Sequence, residues 1–208
     1  KRAYQSKHPS AWTGAMRFLA THKKRNDMII DMLLKDLEAN RSIVFPVYTV
    51  YHSDEIVKTI NNAWGSTIAA QFVGGATKKH KDLREQILDD ARAGTIRLVC
   101  GTRSLLQVGL NVPRWDTHYY GMPMSNEPKW EQESSRILTP ASEDVPKQSP
   151  IIRMFVDPEL GQSIGCFKST WRHSNNLGFK FSRQALDWYS ENVGMTGNEY
   201  GKHNVDYS

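Results

Sequence analysis

Five short runs rich in β-branched and apolar residues punctuate the chain: Ser42 to Val50, Ile68 to Val73, Ile96 to Cys100, Trp115 to Gly121 and Ile151 to Val156. Each has the length and composition of a buried strand. Between them lie segments with helical periodicity. From Asn26, a capping residue, to Asn40, the residues Met28, Ile29, Met32, Leu33 and Leu37 fall on one stripe. In His52 to Trp64 the inward positions are Ile56, Val57 and Ile60. A helix over Lys79 to Ala93 is opened by Thr77 and stopped by Gly94. Strands that alternate with amphipathic helices bury both faces of a parallel sheet. The expected fold class is therefore α/β, a three-layer αβα sandwich with right-handed crossovers.

In such a sheet, ligands gather where strands end and helices begin. Gly101-Thr102 follows the Ile96 to Cys100 run directly and is expected to leave backbone N–H groups free for phosphate oxygens. Gly109 and Asn111 precede the next strand. A helix over Glu127 to Leu138 carries Gln132 and Arg136, four residues apart and so expected on one face, where an arginine can stabilise charge on a phosphoryl group. The turn Gly74-Gly75-Ala76-Thr77 opens a helix whose first residues are Lys78, Lys79, His80 and Lys81. Lysines in a first turn oppose the helix dipole. That local cost points to a phosphate partner about as strongly as to a solvated charged face.

The order and spacing of these stretches resemble the second RecA-like domain of superfamily 2 DNA/RNA helicases and translocases, the phage-type or repair-type DEAD/DEAH-box-like helicases among them. The resemblance covers about Arg25 to Asp157. Ile43-Val44-Phe45 is similar to motif IV. Gly101-Thr102 through Gly109-Leu110-Asn111-Val112-Pro113 is similar to motif V, with Asn111 where many members carry Asp. Gln132-Glu133-Ser134-Ser135-Arg136 is similar to motif VI. Ser135 stands where Gly is usual, and Thr139 where the last arginine is expected, so that full hydrolytic competence would need a nearby arginine such as Arg153 to replace it.

The resemblance implies a RecA-like fold and a motor function. Arg136 would be the catalytic residue, pointing at the γ-phosphate, with Gly109, Asn111 and Gln132 beside the nucleotide. Gly75, Thr77, Lys78, Thr102 and Arg103 would hold the nucleic-acid backbone. It also implies ATP and Mg²⁺ held mainly by an N-terminal RecA-like domain of the same protein. The partner so implied is a nucleic acid, with DNA favoured over RNA, and the setting so implied is cytoplasmic or nuclear. Thr139 keeps a second reading open, a hydrolysis-deficient nucleic-acid-binding module. A third, a doubly wound domain for a small phosphorylated ligand, takes the motif matches as chance.

Other chemistries find no support in the residues. The sequence contains no Gly-x-x-x-x-Gly-Lys-Ser/Thr, no Asp-Glu pair with the context to hold Mg²⁺, and no nucleophile elbow. His80, His118 and His173 lack ligand spacing, so no metal is expected. Two cysteines are too few for a disulfide framework, and Cys100 reads as a buried small hydrophobe. No apolar run reaches the ~20 residues of a membrane span. A net charge of +5 and a pI near 9.2 favour a polyanionic partner.

The domain reading has three parts. Residues 1–24 are a basic linker or the end of a preceding domain, with Trp12, Met16, Phe18 and Leu19 able to pack a short helix. Residues 25–157 are the RecA-like domain. Residues 158–208 are a small C-terminal extension, irregular from Asp157 to Gly165, with a new element at Cys166 to Trp171, a short helix capped by Ser182 and a frayed Gly- and Asn-rich end from Gly194. The aromatics of the extension favour packing over base stacking. Lys1 in place of an initiating Met is expected of a fragment.

Overall fold

A computed structural model describes residues 9–106, 110–124, 126–140, 145 and 147–193. The expectations for Gly109 and for the end from Gly194 lie outside the described residues.

The elements run α1 (Pro9–Thr21), α2 (Lys23–Glu38), β1 (Ile43–Val47), α3 (Val50–Trp64), β2 (Ala69–Phe72), α4 (Lys78–Ala93), β3 (Leu98–Thr102), α5 (Arg103–Leu106), β4 (Thr117–Tyr120), α6 (Glu127–Ser134), a 3₁₀ turn (Ser135–Ile137), β5 (Ile151–Met154), α7 (Gly161–Asn176) and α8 (Arg183–Val193). The five strands form one sheet in the order β2-β3-β1-β4-β5, and every pairing is parallel.

The pleat sorts the core into two layers. Ile43, Phe45 and Val47 of β1 pack with Ile29, Leu33 and Leu37 of α2 and Ile56 and Ile60 of α3. Val44, pointing the other way, packs with Ile87, Leu88 and Ala91 of α4 and Leu106 of α5. β1 is buried along its whole length, as a central parallel strand must be.

Local chemistry sets the helix ends. Thr49 caps α3 by accepting from the His52 N–H at 3.1 Å. Thr77 caps α4, and Gly94 closes it in the left-handed region at φ 85°. α2 begins earlier than Asn26, because His22 serves as its cap through Nδ1. The segment expected as a linker carries α1, whose Ala15, Met16, Leu19 and Ala20 are buried while Phe18 is exposed.

The contacts divide the chain into two units. One comprises 1–122 and 132–155 and holds the sheet; the other comprises 123–131 and 156–208. In the second unit α7 begins at Gly161, so most of the stretch expected to be irregular is helical. The capping hydroxyl of Ser182 accepts from the Ala185 N–H at 3.2 Å at the start of α8. Phe167 and Trp171 of α7 meet Tyr189 of α8, and Trp171 stacks on Phe181 with ring centroids 3.7 Å apart. These aromatics are spent on packing one another.

Candidate functional site

The carboxyl edge of the sheet departs from expectation in one respect. β3 continues through Gly101 and Thr102, which pair with Pro46 and Val47, and a single helical turn, α5, follows. The backbone there belongs to the ladder. Glycine at 101 is required: a Cβ would lie 2.8 Å from the Phe72 carbonyl oxygen on the adjacent strand.

Two turns meet at this edge. Gly74, after β2, faces the Leu105 side chain of α5, so the Gly74–Thr77 turn and the turn that begins at Thr102 are neighbours. Gly75 has φ 132°, which favours glycine, and a Cβ would run into the His80 ring. Arg84 donates to the Val73 and Gly75 carbonyls at 3.2 and 3.0 Å and fixes the turn. Thr77 Oγ1 accepts from the His80 N–H. Lys78, Lys79 and Lys81 are exposed, and no acidic side chain occupies the first turn of α4. Thr102 Oγ1 lies 3.3 Å from Ser104 Oγ.

Arg103 points elsewhere. Its Nε lies 3.2 Å from Glu133 Oε1, and Glu133 is fully buried. His118 of β4, also fully buried, places Nε2 3.7 Å from Glu133 Oε2 and stacks on Tyr120 at a centroid distance of 4.3 Å. Burial, reinforced by the charges of Arg136 and Arg103, drives the His118 pKa well below the usual histidine value, so the ring is neutral. Burial likewise raises the Tyr120 hydroxyl pKa, and the Glu133 charge adds to it.

Arg136 completes this cluster. It is half-buried on the 3₁₀ turn, where desolvation lowers its pKa while Glu133 and Tyr120 act to raise it. Its Nη1 is buried and has no hydrogen-bond partner among the described residues. α6 ends at Ser134, so Gln132 and Arg136 do not share one continuous helix face as expected: Gln132 is exposed on α6, and the tighter turn swings Arg136 inward. Asn111 is exposed, and its carbonyl accepts from Arg92 Nε at 3.2 Å on the last turn of α4, the end remote from Thr77.

Arg153 does not stand in for the arginine missing at Thr139. It is bound through two hydrogen bonds to Asp36 of α2. Tyr119, between His118 and Tyr120 on β4, donates to the same carboxylate at 2.6 Å. By the alternation along β4, Arg153 belongs to the α2 side of the sheet, opposite His118 and Tyr120.

Reading the sequence missed Glu133 and His118. The available signal was a carboxylate one turn before Arg136 and a histidine inside an apolar strand run. Among the described residues no cluster of His, Cys, Asp or Glu could hold a metal ion, and no helix is long and apolar enough to cross a membrane.

No protein-family model matches the sequence, and no curated protein matches it. Solved structures do. The C-terminal domain of the DEAD-box protein Dbp5 superposes with a TM-score of 0.51 at 13% identity, over 71% of this chain and 78% of that one. The chain has a RecA-like fold. T4 UvsW matches this RecA-like fold with a TM-score of 0.59 at 10% identity, over 79% of this chain and 35% of that one. The RNA helicase Prp28 from Chaetomium thermophilum, solved with ADP, matches at 0.55 and 19% identity, over 72% of this chain and 35% of that one. The helicase Lhr from Mycobacterium smegmatis, solved with single-stranded DNA and AMP-PNP, matches at 0.54 and 19% identity, over 71% of this chain and 19% of that one. The RecA-like domain thus spans about a third or less of these last three chains.

Proposed function

We propose that this RecA-like domain is the second motor domain of an ATP-dependent nucleic-acid helicase or translocase. Its ATP site is completed by an N-terminal RecA-like domain that holds most of the nucleotide and the Mg²⁺. Bound there, ATP supplies the free energy that opens and closes the cleft between the two domains. The observation that carries this reading is Arg136: a half-buried guanidinium, with one buried nitrogen unpartnered among the described residues, on the turn after α6. An arginine so placed has hydrogen-bond capacity left for a phosphoryl oxygen. Gly109, Asn111 and Gln132 are assigned to the neighbourhood of the nucleotide by the resemblance.

The adjoining turns Gly74–Thr77 and Thr102–Ser104, with exposed Lys78, are the surface for the strand backbone. The partner is a nucleic acid, with DNA expected to stimulate more than RNA. Among the similar structures, one was solved with single-stranded DNA and another, yeast Dbp5, with RNA.

The test is Arg136→Ala in the full-length protein, assayed with DNA and RNA strands. Loss of a charge that acts mainly in the transition state lowers stimulated ATP turnover by about 10³-fold. Unchanged turnover overturns the assignment. A second reading, a nucleic-acid-binding module without hydrolysis, is favoured by one observation: Thr139 replaces the last arginine while Arg153 is committed to Asp36. Wild-type protein that binds strands but shows no stimulated ATPase would establish it.

A further inference from the structure

A buried carboxylate is costly unless cations compensate it. Glu133 has no exposed surface, and the groups around it come from three separate parts of the chain. Arg103 is the first residue of α5, directly after Thr102. His118 is on β4, and Arg136 is one turn along from Glu133 itself. His118 is neutral, so it does not balance the charge. Arg103 does, with Nε 3.2 Å from Oε1, and Arg136 follows the same carboxylate by one turn, so the anion stands between the turn after β3 and the turn that carries Arg136.

We propose that Glu133 is a positioning residue whose carboxylate clasps Arg103 and sets the placement of Arg136, so that movement of the turn after β3 is transmitted to the guanidinium. This rests on the motor reading above and adds to it a residue and a route. Arg103 then does not contact the strand through its charge. It reports the state of the Thr102–Leu106 turn to Arg136 through Glu133. The geometry suits such a device: the pair bridges residues thirty positions apart in sequence, and its Arg103 end keeps 27% of its side-chain surface in solvent, free to shift with the turn.

The experiment compares Glu133→Gln, Glu133→Asp, Arg103→Gln and the double variant Arg103→Gln/Glu133→Gln in the full-length protein. The reference is Arg136→Ala, and thermal melting checks folding throughout. Glu133→Gln should lower ATPase kcat at saturating nucleic acid by about tenfold, with a much smaller change in the nucleic-acid concentration giving half-maximal stimulation. Glu133→Asp, which keeps the charge, should recover part of that loss and serves if the Gln variant does not fold. Adding Arg103→Gln to Glu133→Gln should lower kcat by less than about twofold more, because both changes break one linkage.

The proposal is overturned if Glu133→Gln folds and keeps wild-type kcat, if Glu133→Asp keeps wild-type kcat where it alone of the two folds, or if the Arg103 and Glu133 effects multiply as independent sites do. If Arg136→Ala itself keeps wild-type turnover, the motor reading fails. If it abolishes turnover while the Glu133 variants do not, only the clasp fails.

Discussion

Asp36 on α2 grips Arg153 of β5 through two hydrogen bonds, Nη2 to Oδ1 at 2.7 Å and Nε to Oδ2 at 3.1 Å, and accepts a third from the Tyr119 hydroxyl. The carboxylate is nearly buried, so loss of Arg153 leaves it under-compensated. Arg153→Ala should therefore destabilise the domain by about 1–3 kcal/mol. Nucleic-acid-stimulated ATPase of the folded variant should stay within about twofold of wild type, in contrast to Arg136→Ala. Urea unfolding and turnover, measured on the same preparation, check both halves.

The two glycines beside the strand edge should respond differently to a methyl group. At Gly101 the Cβ meets the Phe72 carbonyl oxygen at 2.8 Å, backbone that moves only with β2. At Gly74 it meets Leu105 methyls at 3.6 Å, an ordinary contact. Gly101→Ala is expected to cost about 1–3 kcal/mol and Gly74→Ala less than 1, read as shifts in the urea midpoint.

Acid sensitivity should follow the buried histidines. Burial, aided by the nearby Arg25 charge, lowers His52 from 6.5 to about 4. Between those values the unfolded chain holds the proton and the folded chain does not. Stability is therefore complete above about pH 6.5 and falls as pH drops toward 4, by up to about 3 kcal/mol from this residue. Neither His52 ring nitrogen has a hydrogen-bond partner among the described residues. His52→Leu should consequently be near neutral at pH 7 and should flatten the acid limb in urea titrations from pH 7 to 4, leaving the part that His118 contributes.

The exposed lysines at the start of α4 give a salt signature. If Lys78, Lys79 and Lys81 lie along phosphates, each Lys→Ala change should weaken strand binding nearly equally across sequences and reduce the slope of log K against log salt by about 1. Fluorescence anisotropy with labelled strands at several salt concentrations measures this. An unchanged slope assigns these lysines to a solvated face.

What the sequence determined by itself was whatever neighbouring residues settle among themselves. Thr77 opens α4 and Gly94 closes it because a cap hydroxyl and a left-handed glycine act within one helical turn. The apolar runs form a parallel sheet because they are buried on both faces, and Ile43, Phe45 and Val47 divide from Val44 by the period of the strand. The end of α6 was less legible: nothing local forces the tightening at Ser135 that turns Arg136 inward, and its neighbour Ile137 is fully buried.

Only the tertiary structure decided which charges are spoken for. Arg103 and Arg153 each pair with a carboxylate distant in sequence, Glu133 and Asp36. The reason is electrostatic. A carboxylate withdrawn from water must be paired, and the arginine that pairs it is chosen by how strands β3, β4 and β5 stack against their helices, a relation between segments that no single stretch of the chain contains.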